Sequence, residues 1–145
     1  MKNARNLLIA IPFFLLSCSK GGDSPTPTPP TPPTPPTPTE VALAFTVNVD
    51  PGAGNILGVV GTSQPIIVKI SSTIPTAGVT VGVTVIKDSD LSTVFNNSIS
   101  SNTADNTITI AGLSPGALCT ATVVVTSKTP NSNNSKAIIF KLAAK

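Results

Sequence analysis

The chain has 145 residues, with nine Lys and Arg against six Asp and Glu, five Phe, and no His, Trp or Tyr. Lacking His, it lacks the commonest general base and the commonest metal ligand, so its composition speaks against an enzyme and implies neither a cofactor nor a metal site. Once Lys2 and Arg5 are set aside with an N-terminal leader, seven scattered lysines remain and no arginine. Without clustered cations or stacking rings, a nucleic-acid partner is excluded.

The leader comes first. Lys2 and Arg5 precede an apolar run, Leu7–Leu16, of about ten residues, the length of a signal-peptide core and short of the ~20 that span a bilayer. The run closes on Leu15-Leu16-Ser17-Cys18. With an apolar residue three before the cysteine and a small one directly before it, this stretch resembles the lipobox of bacterial lipoprotein signal peptides. Leu16 is bulkier than that family's usual second residue. The resemblance implies a signal peptide over residues 1–17, cleavage before Cys18, and acylation of the Cys18 thiol and new α-amine. Several acyl chains hold a protein on a membrane where one does not, so the membrane is the first expected partner. Ser19, standing where an Asp would retain such proteins at the inner membrane, implies the outer membrane, with the protein periplasmic or surface-exposed.

Residues 18–40 read as a linker. Pro25–Thr39 alternates Pro and Thr. It has few backbone donors and no apolar side chains to bury, so it is expected to be disordered in the polyproline II manner. At ~3.1 Å per residue, some fifteen residues reach about 45 Å, which suits a semi-rigid spacer.

From Val41 the period becomes two. The odd residues of Val41–Val49 are large and apolar, and Asp50-Pro51-Gly52 ends the run with turn chemistry. Ile66–Ile70 follows, with Ile66, Val68 and Ile70 on one face; Pro65 marks its start. Val79, Val81, Val83 and Val85 alternate with Thr80, Gly82 and Thr84, the clearest strand in the chain. After an Asp88-Ser89-Asp90 turn come Leu91–Ile99, a weaker strand around Val94 and Phe95, then Asn106–Ile110. Cys119, Ala121, Val123 and Val125 line one face of the next strand. Ala137–Leu142, with Ile138, Phe140 and Leu142 inward, is the last. Seven short strands over residues 41–145 predict an all-β, two-sheet antiparallel sandwich.

Ile108–Gly116, followed by Cys119, Ala121 and Val123, resembles the late strands of fibronectin type III domains, where a Leu-x-Pro corner precedes a strand with alternating inward residues. Cys119 stands where that family has its corner tyrosine, and the second strand carries no tryptophan. The resemblance covers about a quarter of the domain and implies a fibronectin type III or immunoglobulin-like sandwich.

Three places invite a site. Cys119 has no His or Arg among its neighbours in sequence and reads as a small buried hydrophobe. Asp88 and Asp90 fall far short of a calcium loop and read as turn formers. The resemblance implies that the loop Lys128–Asn134 corresponds to one that fibronectin type III domains use for adhesion. Lys128, Asn131, Ser132, Asn133 and Asn134 are its candidate binding residues, although it offers no aromatic or Arg anchor. The expected function is therefore a lipid-anchored, stalked module for binding or adhesion, with an envelope protein or a glycan as ligand. The alternative is a structural accessory subunit or spacer of an envelope assembly, which a long unprotected apolar edge strand or patch would favour.

Overall fold

The computed structural model describes residues 40–145; the leader, Cys18 and the Pro/Thr linker up to residue 39 lie outside the described residues. Within that range every regular element is a strand. They are β1 (Phe45–Val47), β2 (Ile56–Val59), β3 (Ser63–Ile70), β4 (Val79–Lys87), β5 (Thr93–Ser101), β6 (Asp105–Ala111), β7 (Leu118–Ser127) and β8 (Ser135–Ala144). A three-stranded sheet, β1-β3-β6, packs on a five-stranded sheet, β2-β8-β7-β4-β5. The protein is an all-β sandwich.

Alternation builds the core. Along β4, Val79, Val81, Val83 and Val85 are fully buried, and in register with Val85, Val83 and Val81 on β7 stand Ala121, Val123 and Val125. Ile66 and Val68 of β3 and Ile108 and Ile110 of β6 come from the facing sheet into the same cluster, which Phe45, Phe140 and Leu142 complete. Directly opposed residues share a face, so one register keeps every apolar residue of a strand on the covered side.

The structure departs from the sequence reading in three places. The first is β2, which adds an eighth strand and pairs in parallel with β8, Ile56 opposite Lys141 and Val59 opposite Ala144. Ile56-Leu57-Gly58-Val59 has no alternation to betray it. It becomes a strand because the chain leaving β1 crosses to the edge of the other sheet, where β8 supplies partners and Val59 drops into the core. The second is the opening strand, which shrinks to Phe45–Val47; Leu43 is buried, but Val41 is 65% exposed. The third is β3, which starts at Ser63 and carries Pro65 inside it. Proline is tolerated there because β1 covers β3 only from Val68 to Ile70, leaving the Pro65 stretch with a free side.

The registers sort the loops into two poles. Residues 40–44, the β3–β4 loop, the β5–β6 turn and the β7–β8 loop meet at one pole. The β1–β2, β2–β3, β4–β5 and β6–β7 connections meet at the other, with the C-terminus.

Candidate functional site

The pole where Glu40–Ala44 enters the sandwich is organised around one side chain, Glu40, the only glutamate in the chain. Its Oε1 accepts a hydrogen bond from Ser127 Oγ at 2.9 Å. Its Oε2 accepts from Ser132 Oγ at 2.7 Å and from Asn134 Nδ2 at 3.2 Å. The Thr129 hydroxyl beside it, then Ser132, Ser127 and Asn134, favour the ionised form and lower its pKa to about 2. Asn134 also ties down the backbone of the arriving segment: Nδ2 donates to Val41 O at 2.7 Å, and Oδ1 accepts from Leu43 N at 2.9 Å.

The β7–β8 loop is shaped for this grip. Thr129-Pro130-Asn131-Ser132 is a tight turn, with Ser132 N donating to Thr129 O at 3.1 Å and Asn131 in the left-handed region at φ 62°. Proline fixes the first central residue of such a turn, and Asn tolerates positive φ at the second. Ser127 Oγ accepts from Thr129 N, and Ser132 Oγ accepts from Asn134 N, which orients both hydroxyls.

The five candidate binding residues therefore divide. Ser132 and Asn134 turn inward and are engaged by Glu40 and its neighbours, whereas Lys128, Asn131 and Asn133 point into solvent. The loop is a receptor for a carboxylate, and the chain's own Glu40 fills it. Beside the clamp lies a groove of about 620 Å³ lined by Val41, Ile74, Pro75 and Ala77, with the hydroxyls of Thr73, Thr76 and Thr129 around them. Glu40, with a pKa near 2 and its carboxylate held by three side-chain donors, is a poor base at neutral pH. Reading the sequence missed both Glu40, which was counted with the linker, and Thr73–Ala77. A lone glutamate ending a charge-free proline run was the available signal.

The other sequence candidates are placed elsewhere. Cys119 is buried on β7, 1% exposed and without a disulfide partner among the described residues, and burial pushes its thiol pKa up. It occupies the first inward position after the Leu113–Gly116 corner, where backbone bonds hold the chain: Leu113 N to Thr62 O at 3.0 Å, and Gly116 N to Ala144 O at 2.9 Å. Asp88 and Asp90 lie at the far pole. Asp88 accepts from Lys141 Nζ and from Thr120 Oγ1, which hold its pKa below the usual range; Asp90 caps its own turn through Ser92 N and Oγ. Among the described residues no three His, Cys, Asp or Glu side chains gather as a metal site. No protein-family model matches this chain, and no curated protein is significantly similar to it.

Proposed function

We propose that this is a lipid-anchored envelope protein, held at the bacterial outer membrane through Cys18, that displays a fibronectin- or immunoglobulin-like sandwich for binding or adhesion. The observation that carries the reading is the Glu40 clamp. The Pro/Thr linker ends where an ordered network seizes the chain, while the buried core is drawn from Leu43–Ala144, so the displayed unit has a defined point of attachment. The sheet orders support the family reading. With β1, β3 and β6 as the A, B and E strands, the order β8-β7-β4-β5 reads G-F-C-C′, the layout of immunoglobulin-type sandwiches. The groove at the clamped pole is the contact surface for an apolar or hydroxyl-bearing group of an envelope protein or glycan.

Substituting Cys18→Ser tests the anchor: acyl labelling is lost and the protein leaves the membrane fraction, whereas unchanged labelling and retention overturn it. Ile74→Asp tests the groove, since a carboxylate there abolishes capture of a glycan or envelope protein without unfolding a half-buried loop position. The structural-accessory reading draws on the length of the β5 edge, although only Val94, Phe95 and Ile99 on it are apolar.

A further inference from the structure

The sandwich has four sheet edges, and two are blunted by their shortness. β1 is three residues long and β2 four, and the Lys145 side chain lies over Gly58 of β2. The seven-residue edge of β6 opens on the charged Asp105. β5 is different: nine residues, Thr-Val-Phe-Asn-Asn-Ser-Ile-Ser-Ser, with no charge, no proline and one hydrogen-bonded neighbour, β4. Natural edges of that length are usually broken by Lys, Pro or a bulge, because their free N–H and C=O groups accept another strand. The irregularity in the β4–β5 ladder lies between Val85 and Ile86, at the start of β5, and leaves Phe95–Ser101 regular.

The side chains of β5 suit a copy of themselves. Phe95, Asn97 and Ile99 stand opposite Val85, Val83 and Val81, so they point to the covered side of the sheet. There Phe95 and Ile99 are half-buried, packed against the margin of the core. The midpoint of the nine residues is Asn97. An antiparallel pairing about a two-fold axis through Asn97 keeps the regular stretch Phe95–Ile99 in register, sets Phe95 opposite Ile99 of the second copy, and opposes no two charges. The charged groups nearest in sequence, Lys87 to Asp90 and Asp105, fall beyond the ends of the paired stretch.

We infer that β5 pairs edge to edge with β5 of a second copy of this chain, joining two five-stranded sheets into one ten-stranded sheet. The pairing is isologous and closed, so it yields a dimer and leaves no β5 edge to propagate a fibre. It goes beyond the anchored-display reading and requires neither the acyl anchor nor the groove.

The test uses the full chain in its native membrane. Facing residues of paired strands have Cα atoms within disulfide range, so Asn97→Cys, self-opposed on the axis, oxidises to a covalent dimer roughly 10-fold more efficiently than Thr107→Cys on the β6 edge. Cys18 and buried Cys119 are common to both. Asn97→Lys, which sets two cations face to face, converts the detergent-extracted dimer to monomer by sedimentation, with the strand circular dichroism retained. Equal or absent cross-linking at position 97, or an Asn97→Lys chain that remains dimeric, overturns the inference. So does a covalent product at position 97 that joins this chain to a different protein. A failed anchor test with intact cross-linking overturns the display reading alone.

Discussion

β4 and β5 are neighbours in one sheet, in unbroken register from Val79–Val85 to Phe95–Ser101, yet they live in different environments. Val83 of β4 is wholly buried, while Asn97, directly across from it and pointing to the same side, is exposed. β4 has hydrogen-bonded neighbours on both sides; β5 has one, and its apolar side chains reach only the margin of the core. Burial in a sandwich therefore falls off toward the edge of the larger sheet, where five strands facing three leave a margin. The sequence of each strand records the difference: Val alternates with Thr or Gly from Val79 to Val85 in β4, whereas β5 mixes Phe, Ile, Asn and Ser without a period.

The sharpest way to break this comparison is to put the same charge at both positions. Val83→Asp buries a carboxylate with no partner and costs more than about 4 kcal/mol, enough to abolish a marginally stable fold. Asn97→Asp stays within about 0.5 kcal/mol of the parent in the monomer. Strand circular dichroism and urea titration of the two variants separate them; comparable losses would refute the margin.

Gly78, where the chain turns into β4, comes next. It has φ +81°, and a Cβ there would collide with Asn102 Oδ1 and lie 2.8 Å from Ser101 O. Gly78→Ala costs about 2–3 kcal/mol by urea titration, the left-handed strain plus the displacement of the β5–β6 turn. The clamp ranks third: Asn134→Ala leaves the backbone of Val41 and Leu43 without their partners and costs about 1–2 kcal/mol.

The smallest effect is one of pH. Glu40 has a folded pKa of about 2, below the ordinary 4.5. A depressed carboxylate adds stability that is complete above the unfolded value and fades as pH falls toward the folded one. Thermal melts between pH 5 and 2 therefore fall less steeply for Glu40→Gln than for the parent. The residual slope belongs to Asp88 and Asp90, which are depressed in the same direction. Identical slopes would mean that the clamp does not form in solution.

Much of the fold was legible because period-two alternation is a local property that records one buried and one wet face. Residues 79–85 and 119–125 announced their strands and their inward sides, and Cys119 lay in the core as its neighbours implied. What failed to show was non-local. Ile56–Val59 has no period, and its parallel partner lies some eighty residues on. The site was half legible: a polar β7–β8 loop was visible, but its role in binding Glu40 was not. Nothing within residues 128–134 says which carboxylate will reach them.

For this protein the sequence by itself determined the class of fold, the boundary where proline gives way to alternation, and the poverty of catalytic side chains, since composition and period act residue by residue. Only the tertiary structure decided which polar groups would meet. Ser127, Ser132 and Asn134 surround Glu40 because β7 ends and β8 begins at the pole where Glu40–Ala44 enters the sandwich. It also decided which strand would be left as the margin. β5 is an edge because the connections send β7 and β8 to the other side of β4, and no local pattern in Thr93–Ser101 fixes that choice.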